Sequence, residues 1–363
     1  MKKILGWALA ILVVVGVVGY NMYQEKQNAT TDKKSIHVIY PLTGTMAAVG
    51  QEVRKSIEVY IQQNPNLPFE VKFYDNQSDP NKTISIARQI SINDAQPVFM
   101  CGVSALCRPL IPILPSVNGF LVLSASPRAE TENPGNFQRV SFSHLDMNLP
   151  FIQYIKPEQK IVIIHSNDET GHTGAKLITD NLGEKANNIL AKIAFDHKEL
   201  DNRITVLNAM SYKPDVIIVT AGPSMGFVKV IKTLKEQEYP GTILADPSLR
   251  TPSLIALFSN KESEGIYVPI MPTERIYKEY PQVAKALEDN GLELYNFPIN
   301  VWDALDIINH FVANGIPFNQ EEFLKMGKWH GISSDITFTP NANSSYKFVL
   351  SILKDGKFIP VEE

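Results

Sequence analysis

The sequence predicts an α/β protein of two similar units in tandem, each a mainly parallel sheet with helices on both faces. Three observations carry that prediction. Short apolar runs alternate with stretches of helical spacing from residue 35 to about 124, and the same order begins again after Pro157. The apolar runs end in turns rich in hydroxyls, glycine or carboxylate, as strands of a doubly covered sheet do. The length of 363 residues exceeds one core and suits two domains with a tail.

The elements follow in order. Residues 36–42 form a strand candidate, and residues 49–63 carry apolar side chains at helical spacing. Residues 71–74 are the next strand. In the following DNQSDP, Ser78 or Asp79 can cap a helix that has Pro80 at its first position and runs through 81–92. PVFMC at 97–101 is a strand, a helix is expected from about Ala105, and GFLVLS at 119–124 is the fourth strand. In the second unit, KIVIIHS at 160–166 is a strand, NDETGHTG is its turn and 175–182 is helical. DVIIVTAG at 215–222, a helix at 225–236, TILADP at 242–247 and GIYVPI at 265–270 complete the series. Residues 280–324 read mostly as helices. The last segment reads as strands with a hairpin turn at Asp355-Gly356. Tyr60, Tyr74, Trp302 and Phe338 fall at periodic positions and read as core.

The net charge of −4 and the scattered lysines and arginines exclude nucleic acid as a main partner, which needs a concentrated basic face. The N-terminus is distinct. After Met-Lys-Lys, residues 4–20 carry no charge and approach the length that spans a bilayer. With Lys2 and Lys3 held in the cytoplasm, the rest of the chain lies outside. An uncleaved anchor over residues 1–23 is expected, with a cleaved signal as the alternative, and residues 24–35 read as a tether. Cys101 and Cys107 lie in the exported part, where a disulfide is permitted; the alternative is a pair of small buried hydrophobes. C-x5-C without a second pair is not a zinc pattern.

Nothing in the sequence supports catalysis. Ser104 sits in GVSAL, which lacks the second glycine of a nucleophile elbow. His165 and His172 have no serine and carboxylate at triad spacing, and Asp168 and Glu169 are adjacent, so they diverge in an extended turn. H-E-x-x-H and the phosphate-binding G-x-x-x-x-G-K-[ST] are absent. Neither enzyme activity nor a cofactor is expected. The strand ends PLTGT, DNQSDP, CGVSA, SASPR, SNDETG, TAGPS and ADPS point instead to a ligand cleft, because open parallel sheets bind ligands outside the carboxyl ends of their strands.

PLTG at 41–44, YDNQSDP at 74–80, Gly-Val-Ser at 102–104, GFLVLSAS at 119–126, WDALDII at 302–308 and GISSDITFTPNAN before KDGKFIPV resemble the type I periplasmic binding proteins. Their leucine/isoleucine/valine-binding branch is the nearest in pattern, and the resemblance covers roughly residues 36–361. It implies two lobes joined by three crossovers and closing on a small ligand: lobe 1 from 36–146 plus 272–343, lobe 2 from 147–271 plus 344–363. It also implies a Venus-flytrap receptor that captures an amino acid or related carboxylate or amide for an ABC permease. The location implied is the bacterial envelope, at the periplasmic face of the inner membrane.

By position, the resemblance implies ligand contacts from Thr43, Ser104, Ser126 and Arg128 in lobe 1 and from Thr170 and Asp246 in lobe 2. Arg128 clamps a carboxylate or phosphate if it points inward and is a solvated charge if it points outward. The sequence departs from the family where Thr170 replaces a covering tyrosine and where Ala221 and Gly222 stand in place of a second contact. An alternative therefore stays open: a membrane-tethered sensor or scaffold that reuses the fold, with a degenerate cleft, to contact another envelope protein.

Overall fold

Strand β1 (Lys34–Tyr40) is buried from Ile36 onward. A strand covered on both sides must send apolar side chains to both faces, so its run is nearly continuous rather than alternating. The computed structural model describes residues 33–124, 135–196, 199 and 201–361. The expected anchor and most of its tether, together with Ser126 and Arg128, lie outside the described residues. Among the described residues no helix is long and apolar enough to cross a membrane.

Helix α1 (Ala47–Gln63), β2 (Phe69–Asp75), helix α2 (Pro80–Asn93), β3 (Val98–Cys101), β4 (Phe120–Ser124) and β5 (Phe137–Val140) complete the first sheet. Its order is β2-β1-β3-β4-β5, and every pairing is parallel. Alternate residues divide between the faces. Ile36, Val38 and Met100 pack with Val53, Ile57 and Tyr60 of α1, whereas Ile39, Phe99 and Cys101 pack with Ala87 and Ile90 of α2. Asp79 caps α2 by accepting from the Asn81 N–H, with Pro80 in the first turn, as the sequence predicts. Gly50 is required where α1 passes the turn after β1: a Cβ there would lie 2.0 Å from the Pro41 carbonyl oxygen.

Helix α3 (His144–Tyr154) carries the chain to the second sheet. There follow β6 (Ile161–Ser166), α4 (Glu169–Asn181), β7 (Ile189–Phe195), α5 (Arg203–Ser211), β8 (Val216–Thr220), α6 (Met225–Glu236), β9 (Thr242–Ala245) and β10 (Ile266–Ile270). The chain then returns to the first core through α7 (Pro281–Asp289) and α8 (Asn296–Ala313), whose Trp302, Leu305 and Ile308 join the α1 face. A small antiparallel sheet follows, β11 (Lys328–His330), β12 (Asp335–Thr339) and β13 (Asn343–Ser345). Finally β14 (Val349–Lys354) and β15 (Lys357–Pro360) add to the second sheet, whose order is β15-β14-β10-β9-β8-β6-β7. The segment β7-β6-β8-β9-β10 repeats the order of the first sheet, so the tandem units share one topology.

Some elements differ from the sequence expectation. The helix expected from Ala105 is a short turn, Ser104–Cys107, followed by the 3-10 segment Arg108–Val117. Pro109, Pro112 and Pro115 remove the N–H donors that an α-helix needs. Strands β5 and β7 and helices α3 and α5 were not anticipated: β5 carries Gln138 and Arg139, and β7 is an edge strand with an alternating pattern. The Asp355-Gly356 turn is as expected, with φ of +50° and +73° joining β14 to β15.

Polar groups lock the end of β5 and the residues after it to the β13 segment. The Arg139 N–H donates to the Ala342 carbonyl at 2.8 Å, and Arg139 Nη2 donates to the Ser344 carbonyl at 3.1 Å. The Ser344 hydroxyl donates to the Ser141 carbonyl at 2.6 Å and accepts from the Ser141 N–H at 3.2 Å. Alongside, buried Asp303 of α8 accepts from the Ile332 N–H at 2.8 Å. Burial pushes the Asp303 carboxyl up to about 8, against the lowering effect of that hydrogen bond. The native state thus holds this proton more tightly than the unfolded chain, and stability falls as pH rises from about 4 to about 8. Asp303→Asn keeps an acceptor for Ile332 and no longer titrates. Melting temperatures of the two proteins between pH 5 and pH 8 are expected to show a clearly flatter profile for Asp303→Asn.

Candidate functional site

In the order shared by the two sheets, neighbouring strands depart in opposite directions between β1 and β3 and again between β6 and β8. Crevices open at such points, outside the carboxyl ends of the strands. Thr43 and Ser104 follow β1 and β3, and Thr170 and Gly222 follow β6 and β8.

In lobe 1 the turns after β1 and β2 are tied together. Thr43 Oγ1 donates to Asp75 Oδ2 at 2.6 Å, and the Thr43 N–H donates to Asp75 Oδ1 at 3.1 Å. Ser78 accepts from the Met46 N–H and donates to the Thr43 carbonyl. Burial favours a protonated Asp75, but the bonds from Thr43 and Gln77 outweigh it and hold the carboxyl below its ordinary value. Neither Thr43 nor Thr45 caps α1, whose N-terminus has no side-chain cap. Thr43 therefore spends its hydroxyl inside the lobe.

The turn after β3 is strained. Val103 has φ +67° and ψ +99°, a region a β-branched residue rarely enters and one that clusters at functional sites. Gly102 precedes it because a Cβ there would lie 2.2 Å from the Tyr40 hydroxyl oxygen. That hydroxyl is buried and shares a 2.7 Å hydrogen bond with Ser124. Cys101 and Cys107 bracket the turn with Sγ atoms 1.96 Å apart. Ser104, partly exposed, opens the short helix between them.

In lobe 2, Asp168 Oδ1 accepts from Ser166 Oγ at 2.7 Å and from the Gly171 N–H at 2.9 Å, which fixes the start of α4. Thr170 is partly exposed beside Gly222. Gly174 lets α4 approach β8, since a Cβ there would meet Thr220 Oγ1 at 2.2 Å. The His165 and His172 rings are 4.8 Å apart, and burial lowers the basicity of His165. Among the described residues no group of three side chains could hold a metal ion.

Asp246 is buried at the end of β9. Its Oδ1 accepts from Ser248 N at 2.9 Å and Ser248 Oγ at 2.7 Å, and Thr220 Oγ1 lies 3.4 Å from Oδ2. Burial pushes this carboxyl up to about 6. Its observed work is to shape the turn Pro247–Arg250. That turn ends in a residue absent from the sequence expectation: Arg250 reaches across to lobe 1, where Nη2 donates to the Leu294 carbonyl at 2.6 Å. Arg250, Thr273, Tyr277, Glu288, Glu293 and Leu294 line a cavity of about 510 Å³, to which Arg250 is the contribution of the second unit. Its nearness to the polar ADPS turn was the one sequence signal for Arg250.

Residues 35–313 match a family model described as periplasmic binding protein. No curated protein matches the chain. Solved structures share the fold. A solute-binding protein of an ABC transporter from Rhodopseudomonas palustris HaA2, in complex with p-hydroxybenzoic acid, superposes with a TM-score of 0.77 at 14% identity over 91% of this chain and 96% of its own. The leucine-binding protein LivK of Thermotoga maritima gives 0.73 at 20% identity, over 91% and 98%. LivJ of Streptococcus pneumoniae, a branched-chain amino acid transporter substrate-binding protein in complex with isoleucine, gives 0.74 at 14%, over 91% and 100%.

The Gly102 geometry generates a direct expectation. Gly102→Ala forces the new methyl group against the Tyr40 ring and should cost about 1–3 kcal/mol, read as a lower melting temperature.

Proposed function

We infer that this chain, which belongs to the periplasmic binding protein family, captures a small polar solute outside the cytoplasm and presents it to an ABC importer. The observation that carries the reading is the doubled topology: two sheets of one strand order, each with polar turns at the switch point where such sheets bind ligands. The solute class proposed is an amino acid or a related carboxylate or amide. The ligands held by the structural relatives, isoleucine and p-hydroxybenzoic acid, are both small carboxylic acids and support it. We propose ligand contacts from Ser104 and Thr170, with Thr43 and Asp246 shaping the turns that present them; Ser126 and Arg128, outside the described residues, stay proposals from the family resemblance.

The finer partner assignments are proposals as well. An N-terminal anchor would keep the protein at the periplasmic face of the inner membrane and raise its effective concentration near a permease. A bond between Cys101 and Cys107, suited to an oxidising compartment, would frame the Val103 turn. A second reading, a tethered scaffold with a degenerate cleft, draws on two observations: Thr43 and Asp246 are engaged within their own lobes, and Thr170 stands where a covering tyrosine is expected.

A thermal-shift panel of amino acids, small carboxylates, amides and sugars on the full chain decides between them. A solute at 100-fold its Kd adds about 2.7 kcal/mol of stability, several degrees for domains of this size. A shift that Ser104→Ala diminishes identifies a solute receptor. No shift from folded protein across the panel supports the scaffold.

A further inference from the structure

Arg250 holds an unusual position for a cation. It lies on the lobe 2 turn after β9, yet its side chain donates to a lobe 1 carbonyl, Leu294 O, at 2.6 Å, its one side-chain hydrogen bond among the described residues. Its guanidinium carbon sits 5.3 Å from the centre of the Phe358 ring of β15, a contact that orients the guanidinium plane. Its Nε is buried and has no partner among the described residues. No carboxylate comes within ion-pair distance of it there, although other basic side chains such as Lys232 and Arg275 have such partners.

A guanidinium remains charged under any physiological condition and carries a fork of donors matched to a carboxylate. Glu293 offsets part of the cost of burying it by charge attraction alone, and leaves the buried Nε without an acceptor among the described residues. The space for one exists. The cavity of about 510 Å³ that Arg250 lines falls within the range of small-molecule sites, with residues 273–294 of the first unit forming the rest of its wall.

The rest of the wall narrows the chemistry. Glu288 and Glu293 also line the cavity, and Glu288 accepts from the Tyr277 hydroxyl at 2.7 Å. Two carboxylates near one guanidinium repel a dianion such as phosphate or sulfate. They tolerate a single carboxylate and favour one that carries an ammonium elsewhere in the molecule.

We propose that Arg250 recognises the carboxylate of a captured solute in the cavity it lines, which Ser104 and Thr170 do not line, and that this cavity selects monocarboxylates, zwitterions included, over dianions. The proposal rests on the solute-receptor reading and adds to it the group that reads the acid. Because Arg250 comes from lobe 2 and the opposite wall from lobe 1, a carboxylate bound there also bridges the lobes.

The test compares full-length wild type, Arg250→Gln and Arg250→Lys by calorimetric titration. The probes are leucine, isoleucine, benzoate and 4-hydroxybenzoate, the amide of each, and inorganic phosphate and sulfate. Wild type is expected to bind at least one acid more tightly than its amide, and neither inorganic dianion. Arg250→Gln should weaken the acid roughly 10- to 100-fold and erase the preference over the amide. Arg250→Lys should recover part of the loss, since it keeps the charge without the fork.

An unchanged acid-over-amide preference in Arg250→Gln overturns the proposal and leaves the receptor reading standing. The same holds if that variant only lowers the melting temperature of the unliganded protein, which would make Arg250 an interlobe strut. Tight binding of phosphate or sulfate overturns the selectivity. Wild type that binds none of the organic probes overturns the receptor reading and the proposal together.

Discussion

Burial of both faces of two parallel sheets is the constraint on which the rest of this structure depends. Strands such as β6 and β8 pack helices above and below and leave almost no room for polar side chains along their length. Polar chemistry is therefore displaced to the strand ends, where backbone groups and hydroxyls meet solvent. The same strand order in both sheets repeats that displacement in each lobe.

Much of the polarity at those ends is spent on architecture. Thr43 and Ser78 tie the β1 turn to the β2 turn through Asp75, and Asp168 and Asp246 cap the segments that follow them. These bonds hold the turns in fixed positions, and those to buried Asp246 also satisfy a group that would otherwise lack partners. A rigid turn can present a neighbour that is not itself engaged. Asp246 organises Pro247–Arg250, and Arg250 is the side chain left with donors to offer. The same logic holds beside β5, where the Arg139, Ser141 and Ser344 cluster joins backbone segments about 200 residues apart.

The apolar runs were enough to locate most strands, because a doubly covered strand has a composition no loop shares. The caps at Asp79 and the Asp355-Gly356 turn were equally legible, being local chemistry. Tyr60, Trp302 and Phe338 lie in the core as their periodicity implied; Tyr74 is only partly buried and shares a hydrogen bond with His37. Strand β5 was not legible: Gln138 and Arg139 are buried there only because Asn343 and Ser344 arrive from the far end of the chain to accept their hydrogen bonds.

The site divides along the same line. The sequence by itself determined the order of the elements, the polar character of the strand ends, and the family resemblance that names Thr43, Ser104, Thr170 and Asp246. Only the tertiary structure showed that Thr43 and Asp246 are engaged within their own turns. It alone brought Arg250 from lobe 2 against Leu294 of lobe 1. The reason is physical: a strand or a cap is specified by neighbours within a few residues, whereas the availability of a charge depends on every group that folding carries to it.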